Sequence, residues 1–112
     1  MTRVRGVTLQ LAAARYLSLW WPSAESAGSG RNGRDILGTP GVAFEVKTAR
    51  KFSPLEFCRQ ARRNAAGDVP VVVYVPERVG EASAAVWLAI LPLADLMDVL
   101  VEAKYAPEPR KE

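Results

Sequence analysis

The sequence predicts an α/β fold of the α+β kind, a mixed central sheet flanked by helices in the order α-β-β-β-α-β-β-α. Three observations carry this. Residues 7–19 are Ala-rich, hold no Gly or Pro, and are stopped by Pro22. Ser53-Pro54-Leu55-Glu56 offers Ser as N-cap, Pro at N1 and Glu at N3, the pattern of a capping box. Residues 69–75 form an uncharged β-branched run with prolines near its ends, the pattern of a buried central strand.

Taken in order, the first helix places Leu9, Ala13, Ala14, Leu17 and Trp20 in one sector. Gln10 falls inside that apolar sector. A core-facing amide needs a partner, so Gln10 either looks toward the acidic patch below or is satisfied by backbone. Residues 23–26 read as a short strand and 27–33 as a polar Gly-rich loop. Residues 35–37 and 42–48 read as paired strands joined by Gly38-Thr39-Pro40-Gly41. The second helix runs from Ser53 to about Ala66 and ends at Gly67, with Leu55, Cys58, Ala61 and Ala65 as its sheet-facing stripe. After the run 69–75 come a polar turn at 77–83, a strand at 85–91 and a helix at 93–103. Residues 1–105 are expected to form one domain and 106–112 a charged, Pro-rich tail that frays.

The totals bound the chemistry. A chain of 112 residues, 49% hydrophobic, supports one small domain with a core. With 15 basic and 12 acidic residues the net charge is only +3, so the distribution of charge must argue for any polyanionic partner. There is no histidine, which excludes Ser-His-Asp hydrolysis, His general bases and His-bound zinc. A single cysteine, Cys58, excludes an internal disulfide and a Cys-based zinc site. Carboxylates, lysine and hydroxyls remain, and with oxygen ligands alone the matching cation is Mg²⁺ or Mn²⁺. Arg3 and Arg5 precede the apolar stretch 7–21, but Gln10 and Arg15 interrupt it and it is too short to span a bilayer. A cytoplasmic protein with no membrane partner is expected.

The densest chemistry is Gly33-Arg34-Asp35-Ile36 followed by Glu45-Val46-Lys47. Side chains alternate along a strand, so Glu45 and Lys47 share one face and Phe44 and Val46 the other. The intervening turn folds Asp35 back beside Glu45. Two carboxylates and an ammonium on one patch of sheet suit a Mg²⁺-assisted phosphodiester hydrolysis. Cations surround the acids: Arg31 and Arg34 flank Asp35, Arg50 and Lys51 follow Lys47, and Arg59, Arg62 and Arg63 lie on the next helix. A phosphate backbone needs such a sector. An ordinary salt-bridged sheet face and a solvated helix face are the plainer readings of the same residues. Trp20, Trp21 and Trp87 read as core or interface rather than as base-stacking residues.

In element order and motif the chain resembles the PD-(D/E)xK nuclease superfamily, and within it the small Holliday junction resolvases of archaea and their phage-type relatives. The residues carrying the resemblance are Gly33-Arg34-Asp35-Ile36 for the first acidic motif and Glu45-Val46-Lys47 for E-x-K. The Ser/Gly-rich loop before Asp35, the inward polar Gln10 and the basic helix with Gln60 support it. Arg34 stands where many members have proline, and Gln10 where resolvase-like members usually have glutamate. The resemblance covers about residues 5–100.

It implies a restriction-endonuclease-like αβββαβ core and a Mg²⁺-dependent DNA endonuclease, structure-selective on branched DNA. Asp35, Glu45 and the Val46 carbonyl would hold the cation. Lys47 would orient the attacking water and stabilise charge, an electrostatic role rather than a general-base one. Gln10 and Ser29 would complete the catalytic set. Gln60 would join Arg31, Arg34, Arg50, Lys51, Arg59, Arg62 and Arg63 in contacting DNA. Two symmetric cuts at a four-way junction need a C2 homodimer. Val86-Trp87-Leu88 with Leu93, Leu96, Met97 and Leu100 would supply its interface. The other readings are a nicking or end-processing nuclease of the same fold, a DNA-binding module on a decayed nuclease fold, and a small α/β interaction domain.

Overall fold

A computed structural model describes residues 2–28, 33–48, 51–76 and 81–111. Among these, the chain forms three α-helices, a mixed three-stranded sheet and a small antiparallel pair of strands. The elements are α1 (Thr2–Leu17), β1 (Glu25–Ser26), β2 (Ile36–Leu37), β3 (Val42–Lys47), α2 (Pro54–Asn64), β4 (Val69–Tyr74), β5 (Leu88–Ile90) and α3 (Leu93–Glu102), with a 3-10 helix at Glu81–Val86.

The main sheet has the order β3-β4-β5, parallel between β3 and β4 and antiparallel between β4 and β5. The β-branched run is its central strand, as its lack of charge predicts. The alternation of β3 and β4 divides the core in two. Phe44, Val71, Val73 and Val75 face α1 and pack with Leu9, Ala13, Ala14, Ile36 and Trp87. Val72 and Tyr74 face α2 and pack with Phe57 and Ala61. The antiparallel pair β1–β2, with Ser26 opposite Ile36, lies beside β3, joined to it where the Asp35 N–H donates to the Phe44 carbonyl at 3.2 Å. The return of the chain depends on Gly38. Its φ is +78°, and a Cβ there would overlap the Ser23 carbonyl.

Several expected details differ. Helix α1 ends at Leu17, two residues early, because the turn after it brings Trp21 edge-on to Phe44 at 5.7 Å. Trp20 leaves the expected sector and is 60% exposed, against Tyr16. The capping box at Ser53 does not form. Ser53 has ψ 71°, short of the extended cap geometry, its hydroxyl makes no cap bond, and Glu56 turns to Arg59 and Arg63. On α2 the buried residues are Phe57 and Ala61, with Cys58 packed beside them and Ala65 buried just past the helix end, while Leu55 points outward. Residues 81–86 form the 3-10 helix, so the expected strand 85–91 shrinks to Leu88–Ile90. The remainder of the expected turn, 77–80, lies outside the described residues.

Helix α3 buries none of its residues, and Leu93, Met97 and Val99 are exposed. Of the strand segment expected at a dimer interface, Val86 and Leu88 are exposed, but Trp87 is taken into the chain's own core. Residues 107–111 follow without regular structure and are exposed. Among the described residues, no helix is long and apolar enough to cross a membrane.

Candidate functional site

Three elements converge on one patch. The residue just before β2 supplies Asp35, β3 supplies Glu45 and Lys47, and α2 supplies the side chains that hold them. Asp35 Oδ2 accepts the Val46 backbone N–H at 2.8 Å. That bond uses the edge of β3 not paired with β4. In a strand the N–H and C=O of one residue leave on the same side. The Val46 carbonyl therefore leaves β3 on the edge where Asp35 sits.

Glu45 points the other way, onto α2, and is only 2% exposed. Asn64 Nδ2 donates to its Oε1 at 2.6 Å. Lys47, two residues on and on the same face, donates from Nζ to Gln60 Oε1 at 2.6 Å and lies 5.9 Å from the centre of the Phe57 ring. The spacing explains the match. Two residues along a strand and one turn along a helix cover similar lengths, so Gln60 and Asn64 sit opposite Lys47 and Glu45. Each amide presents the end the charge requires: NH₂ to the carboxylate, C=O to the ammonium.

Burial pushes the Glu45 carboxyl up to about 7; the Asn64 bond opposes this, the charge and hydrogen bond of Asp35 add to it, and Lys47 opposes it weakly. The Asp35 carboxylate is near enough for its charge to disfavour ionisation of Glu45. Such a pair repels itself when both are ionised, and a divalent cation between them removes the repulsion. Two carboxylates and a nearby backbone carbonyl form a donor set that suits Mg²⁺, which keeps most of its waters and takes one or two carboxylates. Among the described residues, no group of three or more Cys, Asp or Glu side chains gathers that could hold a metal by itself.

The other expected site residues divide. Gln10 does not reach toward the acids: its Oε1 accepts the Ser26 hydroxyl at 3.1 Å, and the same hydroxyl accepts the Gly28 N–H at 3.2 Å. It ties α1 to the start of the Gly-rich loop. Gln60 is a partner of Lys47 rather than part of an outer DNA-contacting face. Arg34 is committed inward, bonding Asp68 at 2.9 Å and the Ala65 carbonyl at 2.6 Å, where it caps the end of α2. Arg62 pairs with Asp95 of α3. Arg59 and Arg63 are largely exposed and each lies 3.6 Å from Glu56, a loose contact that leaves them available to a polyanion. Lys51 is exposed. Ser29, Arg31 and Arg50 lie outside the described residues.

The residue that sequence reasoning missed is Asn64. A signal was present, since it follows Gln60 by one helical turn on the helix packed over Glu45-Val46-Lys47. Set against family models, curated proteins and solved structures, the chain matches none of them, so no family assignment follows from likeness.

Proposed function

We propose that this chain is a metal-dependent DNA endonuclease with a PD-(D/E)xK, restriction-endonuclease-like core, acting on branched DNA in the manner of a Holliday junction resolvase. The observation that carries the reading is the convergence of Asp35, Glu45 and Lys47 on one patch, each held by a bond of its own. The order of the elements around that patch supports it.

Asp35 and Glu45, with the Val46 carbonyl, would hold Mg²⁺ or Mn²⁺. The cation, when bound, neutralises charge on the phosphate and makes the attacking water more acidic. Lys47 stabilises the negative charge that grows on the phosphoryl oxygens, and the Gln60 bond keeps its ammonium in place before reaction begins. Asn64 fixes the Glu45 carboxyl by donating to its Oε1 from α2. The exposed Arg59 and Arg63 and Lys51 would meet phosphates along the strand. The apolar, unburied surface of α3 would serve a homodimer that makes two symmetric cuts, and a monomeric mass by light scattering at micromolar concentration would remove that part.

Incubation of the protein with a labelled four-way junction and a linear duplex, in Mg²⁺, Mn²⁺ or EDTA, tests the reading. Symmetric metal-dependent nicks confined to the junction are the expected result. Cleavage of both substrates identifies a nicking or end-processing nuclease instead. The engagement of Gln10 with Ser26, where an acid would add negative charge, favours a second reading as a decayed DNA-binding module. Binding without metal-dependent cleavage would establish it.

A further inference from the structure

Beside Lys47 lies an aromatic cluster assembled from two residues close in sequence around the start of α2 and one from the end of β4. Phe52 comes from the segment leading into α2, Phe57 from the first turn of α2, and Tyr74 from the end of β4. Tyr74 is the register partner of Lys47 across the parallel β3–β4 pair, so the two share a face. The Phe52 ring lies 4.8 Å from that of Tyr74 and 6.2 Å from that of Phe57, and Phe57 and Tyr74 are stacked at 6.2 Å and 22°. Phe57 is buried, but Phe52 remains 52% exposed.

We infer that Phe52 is a stacking platform for an unpaired nucleobase on the strand whose phosphate meets Lys47. The inference rests on the nuclease reading above and narrows its substrate to DNA with unstacked bases.

A lone exposed phenylalanine is ordinary. Phe52 differs in its neighbours. Two other rings brace it, so its π surface is already fixed before a ligand arrives. The cluster is continuous with the candidate site through Phe57, whose ring centre lies 5.9 Å from the Lys47 ammonium. Lys51, exposed and adjacent in sequence, supplies positive charge for a phosphate beside the base. A base inside a duplex is covered on both sides by its neighbours and reaches Phe52 only where the strand is unpaired or opened. The platform thus gives a physical route to selectivity for branches and tails over uninterrupted duplex, through stacking that every base can make.

The test is binding in EDTA, which does not require cleavage. A blunt duplex and the same duplex carrying a single-stranded tail with 2-aminopurine are titrated with the protein, Phe52→Leu and Phe52→Trp. The protein is expected to prefer the tailed DNA by roughly tenfold and to change the 2-aminopurine fluorescence on binding. Phe52→Leu retains apolar volume but no π face. It should lose the preference and the fluorescence change while binding blunt duplex as before, and Phe52→Trp should keep both. Equal tail binding and equal fluorescence change in Phe52→Leu overturn the platform and leave the nuclease reading intact. Absence of DNA binding by the unsubstituted protein overturns both. A tail preference lost in Phe52→Leu, with no metal-dependent cleavage of any substrate by the unsubstituted protein, supports the platform and removes the nuclease.

Discussion

Asn64 donates its side-chain amide to Glu45 Oε1 at 2.6 Å, so a helix that follows the strand in sequence holds the strand's buried acid in place. The bond opposes the burial that pushes the Glu45 carboxyl up to about 7.

Removal of that donor should therefore be felt more at high pH. At pH 8 Glu45 is mostly ionised and Asn64→Ala leaves the carboxylate without its partner, a loss of about 2 kcal/mol and roughly 10 °C in Tm. At pH 5 the carboxyl is neutral and the loss should be smaller. Thermal melts of the two proteins at both pH values check this, and an equal loss at both would detach Asn64 from the charge on Glu45.

Glu45 itself should make stability depend on pH. Its folded value is about 7 against an ordinary 4.5, so between these the folded chain holds a proton that the unfolded chain has released. Stability from this group therefore falls as pH rises from 4.5 to 7 and is level on either side. Glu45→Gln keeps the shape and can still accept from Asn64. It should be more stable than the parent at pH 8, by on the order of 3 kcal/mol, and equal to it at pH 4. Denaturant melts at the two pH values measure the difference.

Millimolar Mg²⁺ should raise Tm at pH 8 more than at pH 5.5, where a proton must first leave Glu45. EDTA should reverse the rise, and Asp35→Asn should abolish it. This readout needs no substrate. A rise of equal size in Asp35→Asn would place the cation elsewhere.

For cleavage, Lys47→Ala should lower kcat by about 10²–10³-fold while junction binding in EDTA is retained. Gel-shift and single-turnover assays separate the two quantities. Full activity in the variant would remove Lys47 from the chemistry.

The arginines should separate by role. Arg59→Ala with Arg63→Ala should weaken DNA binding and flatten its salt dependence while leaving Tm nearly unchanged, since their contacts with Glu56 are loose and exposed. Arg34→Ala should lower Tm, because it removes the bonds to Asp68 and the Ala65 carbonyl. Fluorescence anisotropy across a salt series, beside thermal melts, distinguishes them.

Much of the framework is legible from local pattern. The parity of Glu45 and Lys47 and the uncharged central strand follow from a periodicity of two and a β-branched run that need no knowledge of the rest of the chain, whereas α2 ends at Asn64, short of the expected Ala66. The errors arise where another contact, near or distant in the chain, competes with the expected local pattern. Ser53 and Glu56 carry the letters of a capping box, yet Glu56 turns to Arg59 and Arg63. Residues 85–91 read as a strand, but the 3-10 helix runs through Val86 and Trp87 sinks into the core beside α1. Gln10 was legible as an inward amide needing a partner, but Ser26 as that partner was not.

The amino-acid order by itself determined which chemistries were available. It holds no histidine and one cysteine, and it carries an acid and a lysine two apart on a strand pattern. It also determined the succession of helices and strands, because backbone periodicity is written locally. The tertiary structure alone decided which neighbours those groups meet: Asn64 on Glu45, Gln60 on Lys47, Asp68 on Arg34 and an aromatic cluster at the edge of the patch. Hydrogen bonds and ring contacts act over a few ångströms, and only the packing of α2 across β3 and β4 brings residues so far apart in the chain within that range.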